Sequence, residues 1–151
     1  MLKTAKQILG NRGEELICKY FACFKCKKRN TFKRLINNFK CADLICDFCG
    51  YLAQVKTKTV KDINSFPKTI LGAAWQPQKE RMDAGIYFSL ILVLISESNP
   101  KNYSVYYLPA ELQTKEMFNE RKKLSTNAKR AGWQGFNYDG SIIKDFATRL
   151  V

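Results

Sequence analysis

Ala42-Asp43-Leu44-Ile45-Cys46-Asp47-Phe48-Cys49-Gly50-Tyr51-Leu52-Ala53-Gln54-Val55-Lys56-Thr57-Lys58 carries two separate chemistries in one stretch. From Leu52 onward it alternates. Ala53 and Val55 fall on one face of an extended strand, and Gln54 and Lys56 fall on the other. The Cys46-Asp47-Phe48-Cys49 unit reads as the tip of a hairpin, with Asp43 ending the neighbouring strand. Bending the chain there brings Asp43 opposite Gln54 and Lys56.

Those side chains suit metal-assisted hydrolysis of a phosphodiester. A hard cation such as Mg²⁺ takes oxygen ligands, here the Asp43 carboxylate and the Gln54 side-chain carbonyl, with the Val55 backbone carbonyl as a third. The ion polarises a phosphate and acidifies a water. Lys56 orients that water and offsets the charge developing on the phosphate.

The same hairpin tip supplies half of a second metal site. Cys23-Phe24-Lys25-Cys26 repeats the Cys-x2-Cys spacing, with nineteen residues between the two units. Two intervening residues let both thiolates of a unit face one ion, so Cys23, Cys26, Cys46 and Cys49 predict a closed, structural Zn²⁺ site. Lys25, Lys27, Lys28 and Arg29 offset the thiolate charge. The plainer alternative is four buried cysteines at a chance spacing. Cys18 and Cys41 lie outside the pattern and read as ordinary buried thiols.

Working outward, a helix is expected from about Asn11 to Phe21, and another from Ile70 to Ala84 interrupted or kinked at Pro77. Ile86 to Ile95 is an apolar run of ten residues, too short for the about 20 a membrane helix needs. It reads as a buried strand pairing with Tyr103 to Leu108 across the turn at 96–101. Lys115 to Arg130 reads as a basic, polar, mobile segment. The 151 residues fit one domain, with the first fifty loop-rich. The fold class is α/β: a mixed central sheet flanked by helices, with a four-cysteine zinc-binding insertion.

Twenty-six Lys and Arg against thirteen Asp and Glu give a net charge of +13. Leu16 to Ala42 holds eight basic residues and no acid. A second cluster comprises Arg121, Lys122, Lys123, Lys129 and Arg130, and Lys58 adds a cation just past Lys56. The charge could merely keep the surface soluble. Duplex DNA, with ~20 phosphates per ten base pairs, is the stronger use of it. The first residues lack a signal-peptide apolar stretch, so the expected location is the cytoplasm, with no membrane partner.

Asp-x10-(Glu/Asp/Gln)-x-Lys resembles the core of the PD-(D/E)xK nuclease superfamily. Interleaved with Cys-x2-Cys and Ala-Asp-x2-Cys-x2-Cys, it is similar to the DpnI-like, Dam-replacing restriction endonucleases. A second segment, Ala128-Lys129-Arg130-Ala131-Gly132-Trp133-Gln134-Gly135-Phe136-Asn137, also resembles theirs. The likeness runs from about Gly13 to Asp139. It implies Asp43, Gln54 and Lys56 as the catalytic group, Mg²⁺ as the catalytic ion, and double-stranded DNA, with or without N6-methyladenine, as the substrate. Two departures stand out. That family usually has Glu where this chain has Gln54, although Mrr-like nucleases use Gln there. The DpnI type also has a C-terminal winged helix that reads methylated DNA, and nothing in these residues reads as one.

Glu14 matches the Gly-x3-Glu pattern that the superfamily often carries on its first helix, counted from Gly10. Its spacing to Asn11 equally fits a capping box. Trp133 reads as a core-closing aromatic in preference to a base contact. Three functions remain open: a restriction-type endonuclease, a structure-specific or repair nuclease of the same superfamily, and a zinc-stabilised DNA-binding module in which Gln54 marks a lost site.

Overall fold

The computed structural model describes residues 2–36 and 39–151. Helix α1 spans Ala5–Tyr20, starting well before Asn11. A capping box fixes the start. The Thr4 hydroxyl accepts the Gln7 amide at 3.2 Å, and the Gln7 side chain accepts the Thr4 amide at 2.8 Å. Strands β1 (Phe32–Arg34), β2 (Leu44–Cys46) and β3 (Leu52–Val60) follow. Then come β4 (Thr69–Ala74), helix α2 (Trp75–Asp83), β5 (Ser89–Ser96) and β6 (Tyr103–Leu108). The chain closes through two 3₁₀ turns (Ala110–Leu112 and Lys115–Met117), β7 (Phe118–Glu120), β8 (Gly135–Asp139), the short helix α3 (Gly140–Ile143) and β9 (Thr148–Arg149).

Six strands form a mixed sheet in the order β1-β2-β3-β5-β6-β9, in which only the β3–β5 pair is parallel. A parallel pair needs a crossover, and here β4 and α2 supply it. β4 leaves the main sheet and joins β8 and β7 in a second, antiparallel sheet ordered β4-β8-β7. The mixed sheet flanked by helices is as expected. The second sheet has no counterpart in the expected architecture.

Every residue of β5 is buried, because it is covered on both faces. Ile91, Val93 and Ile95 pack with Ile17 of α1 and with Ala53 and Val55 of β3. Leu90, Leu92 and Leu94 pack with Ile70, Phe118, Phe136 and Tyr138 of the second sheet. The molecule is therefore layered: α1, the six-stranded sheet, then the small sheet with α2 and α3. None of the described helices is long and apolar enough to cross a membrane.

Three expectations are corrected here. The helix expected over Ile70 to Ala84 is a strand followed by a helix. Pro77 is the third residue of α2, inside the first turn, where its missing N–H has no helical partner to lose. The segment from Lys115 to Arg130 is continuously exposed only over residues 119–127. Met117 is fully buried, and Phe118 to Glu120 pair with β8. Trp133 does not close the core. It is half-buried, its ring lies over Gly135, and the Arg130 guanidinium sits 4.2 Å from the ring centroid.

α1 reaches β3 through a glycine. A Cβ at Gly13 would stand 1.8 Å from Thr57 Oγ1, an oxygen that is itself buried with no hydrogen-bond partner among the described residues. Gly13→Ala is expected to cost about 1–3 kcal/mol by overpacking, since a β-branched neighbour turns with difficulty. Adding Thr57→Ala removes both the clashing oxygen and the orphan, and should recover most of that loss in urea unfolding. Equal stability of Gly13→Ala and the wild type would mean that α1 does not sit this close to β3.

Candidate active site and metal centre

The β2–β3 hairpin places the first group of side chains. Leu44 pairs with Ala53, and the Asp43 amide donates to the Ala53 carbonyl at 2.9 Å, so Asp43 stands at the open end of the hairpin. Beyond it β2 has ended, and the Asp43 carboxylate takes over as partner. Its Oδ2 accepts the Val55 N–H at 2.8 Å. Residues of a strand send their N–H and C=O to the same side, so the Val55 carbonyl emerges at this edge too, past the last β2 pair. Gln54 and Lys56 share the opposite face of β3, as the alternation predicts.

Gln54 is 6% exposed, and its Oε1 accepts a hydrogen bond from the hydroxyl of Tyr138 on β8. Burial pushes the Lys56 ammonium below its ordinary value, opposed by Asp43, Cys41 and Glu14. Burial also lifts the Asp43 carboxyl above the usual carboxylate value, against the Val55 amide, Lys56 and Arg34. Burial and then Asp43 lift Glu14, while Arg34 and Lys56 draw it down. Glu14 thus feels both Asp43 and Lys56, and Asp43 feels Lys56, although the three come from α1, the hairpin mouth and β3.

Glu14 is in the body of α1 and does not cap it. The helix starts at Thr4, which removes the capping role that its spacing to Asn11 allowed. Instead Glu14 Oε1 accepts from Arg34 Nε at 3.2 Å, and Asn11 accepts from the same guanidinium. The group therefore offers the Asp43 carboxylate, the Gln54 amide oxygen, the Val55 backbone carbonyl and the Glu14 carboxylate. This is an all-oxygen donor set of the kind a hard divalent cation takes. One oxygen of Asp43 is held by the Val55 amide, which fixes the carboxylate and leaves its other oxygen for an ion.

The four patterned cysteines meet at the opposite end of the hairpin. All four Sγ atoms lie within 4.8 Å of one another. Cys23 and Cys49 are 3.6 Å apart and Cys26 and Cys46 3.7 Å. A disulfide needs about 2.05 Å. Tetrahedral coordination with Zn–S bonds of about 2.3 Å sets sulfur–sulfur edges of about 3.8 Å, so the cluster has the dimensions of a four-thiolate zinc site.

Both knuckles turn in the same way. Lys27 N–H donates to the Cys23 carbonyl and Gly50 N–H to the Cys46 carbonyl, and each of these donors is left-handed, at φ 67° and 80°. Amides also point at sulfur, from Lys25 to Cys23 at 3.4 Å and from Cys49 to Cys46 at 3.5 Å. Burial drives the Cys23 thiol up to about 11. At Cys46 burial works the same way, but hydrogen bonds from Thr31 and from the Cys49 and Phe48 amides bring it down to about 6. Cys18 and Cys41 are half-buried, less enclosed than expected. Burial raises both thiols.

The expected DNA-contacting cations divide. Arg121, Lys122, Lys123, Lys129 and Arg130 are all exposed on the 121–134 loop beside the small sheet. Arg130 is stacked on Trp133. Lys58 stands apart from them on β3, half-buried, and donates to the Thr69 carbonyl at 2.9 Å.

Two neighbours of the site were not singled out by spacing. Arg34 sits within the basic run from Leu16 to Ala42, where nothing distinguishes it from the other cations. Tyr138 lies just past the second family-like segment, on a strand that short-range pattern did not predict. A Phe136-x-Tyr138 alternation was the only signal for it.

A family model described as DpnI: Dam-replacing family matches residues 2–149 of this chain, which takes in both the four-cysteine cluster and the Asp43–Gln54–Lys56 group.

Proposed function

From membership of the DpnI, Dam-replacing family, to which this chain belongs, we propose that it is a Mg²⁺-dependent endonuclease that hydrolyses double-stranded DNA in a restriction role directed by adenine methylation. The observation that carries this reading is the Asp43 carboxylate accepting the Val55 amide beyond the end of β2. It brings the carboxylate to the edge where the Val55 carbonyl emerges, and Gln54 and the half-buried Lys56 lie on the adjoining face of β3.

Asp43, Gln54 and the Val55 carbonyl hold the cation, with Glu14 as a further carboxylate. Bound there, Mg²⁺ supplies Lewis-acid polarisation of the scissile phosphate and a more acidic water. Lys56 donates to the attacking water and to the phosphate oxygens as charge builds on them. Its environment lowers its pKa, so it gives up a proton more readily than a surface lysine. Arg34 holds Glu14 in place and adds positive charge where the phosphate arrives. Zn²⁺ in the four-cysteine cluster is structural, because its four ligands leave no open position. The exposed 121–130 cations follow the DNA backbone.

Incubating the protein with Mg²⁺ and three substrates tests the reading: adenine-methylated duplex, unmethylated duplex and a branched junction. Cleavage of the methylated duplex is expected. Preference for the junction would favour a structure-specific nuclease, and binding without cleavage would make the chain a DNA-binding module.

Burial raises both Asp43 and Glu14, and the cation needs them ionised. Without metal, raised carboxyl values favour the folded state at low pH, and that contribution is lost as pH rises through them. Mg²⁺ affinity runs the other way, weakening as pH falls through those same raised values.

DNA affinity is expected to fall steeply with salt. Arg121→Gln, Lys122→Gln and Lys123→Gln together should reduce the slope of log K against log salt by about 2 to 3. An unchanged slope would place the DNA on another face.

A further inference from the structure

Gln54 has a difficulty that a glutamate would not have. Its amide is flat, with oxygen at one end and NH₂ at the other, and a half-turn exchanges them. Only the oxygen can bind a cation. A carboxylate presents oxygen either way. In a site that uses Gln, something must decide which end faces the ion.

The Tyr138 hydroxyl is placed to decide it. Tyr138 is 2% exposed, and its hydrogen bond to Gln54 Oε1 joins the small sheet to β3 across 84 residues of sequence. This is the only hydrogen bond of that hydroxyl among the described residues. The ring is held by its surroundings: Ile70 is its strand partner, and Phe118 and Phe136 lie at 5.1 Å and 5.0 Å between centroids. Turning the amide over would leave a buried O–H with no acceptor, a costly arrangement. A carbonyl oxygen has two lone pairs. Tyr138 takes one and leaves the other free.

We infer that Tyr138 is a positioning residue for the metal site: its hydroxyl locks the Gln54 amide with the oxygen toward the divalent cation. This rests on the nuclease reading for the identity of the site, and two independent measurements separate the two claims.

The first is Mn²⁺ binding to the zinc-loaded protein without DNA, followed by calorimetry. Tyr138→Phe removes one oxygen from an apolar cluster, and thermal unfolding checks that it folds. It should weaken Mn²⁺ binding by about tenfold, the scale of loss for partners that orient a metal ligand. In a Gln54→Glu background the same change should matter less than about threefold, since either carboxylate oxygen then serves. No loss in the wild-type background, or equal losses in both, overturns the assignment. A general packing role predicts equal losses.

The second is the Mg²⁺ concentration for half-maximal DNA cleavage, which should rise by about tenfold in Tyr138→Phe with kcat at saturating Mg²⁺ nearly unchanged. Normal cleavage with an unaltered Mg²⁺ requirement overturns the role of Tyr138 alone. A wild type that shows Tyr138-dependent Mn²⁺ binding but cuts no DNA overturns the nuclease reading, and the assignment of Tyr138 stands.

Discussion

Asp43→Ala is expected to abolish DNA cleavage, with a loss of at least about a thousandfold, or about 4 kcal/mol of barrier. The size follows from what one side chain does at the hairpin mouth. Its carboxylate is the one charged oxygen ligand proposed from the two core strands, and it also satisfies the Val55 amide at 2.8 Å. Removing it costs the ion its anchor and frees the strand edge that presents the Val55 carbonyl. DNA binding should survive and even tighten, because the substrate phosphate then meets one negative charge fewer beside Lys56. Lys56→Ala should be comparably slow in cleavage while Mn²⁺ still binds, since Lys56 acts on water and phosphate. Gln54→Glu restores a carboxylate and should lower the Mg²⁺ requirement. If Asp43→Ala cuts at the wild-type rate, the proposed active site is in the wrong place.

The second large effect is expected at the cysteine cluster. Cys46→Ser, or chelation of the metal, should lower stability by about 4 kcal/mol, or about 8–16 °C in melting temperature. Cys46 is fully buried beside Phe32 and Leu44, and its knuckle is the tip of the hairpin that carries Asp43, Gln54 and Lys56. Losing the metal should therefore loosen the active site as well, and cleavage should fall with it. Thiolates bind metal only after losing protons, and burial holds Cys23 up at about 11, so binding releases protons and weakens as pH falls. Metal analysis should return one Zn²⁺ per chain. A metal-free protein with unchanged melting temperature would remove zinc from the account.

Short-range spacing made the four-cysteine cluster legible. Two Cys-x2-Cys units define a four-sulfur cluster before any fold is known, because a knuckle is a local turn and its geometry travels with its spacing. The β2–β3 hairpin was readable for the same reason. A period of two sorts Ala53 and Val55 from Gln54 and Lys56, and a turn joins adjacent strands. The long apolar run gave β5, since a strand buried on both faces has no polar side to interrupt it. Composition pointed to a polyanionic partner, because charge adds up regardless of fold.

The tertiary structure decided everything that joins distant parts of the chain. Thr4 and Gln7 formed the capping box in place of Asn11 and Glu14, since both pairs have the right spacing and only the packing of α1 on β3 selects between them. Glu14 thereby moved from a possible cap to a carboxylate paired with Arg34, within electrostatic reach of Asp43 and Lys56. Pro77 permitted a helix because a strand ended just before it, and that strand exists only because β8 lies alongside. Trp133 left the core for the face of Arg130, while Phe136 and Tyr138 took the interior. Tyr138 meets Gln54 across 84 residues and two sheets. No period or motif encodes such a contact, because it depends on where two separately formed sheets come to rest against one another.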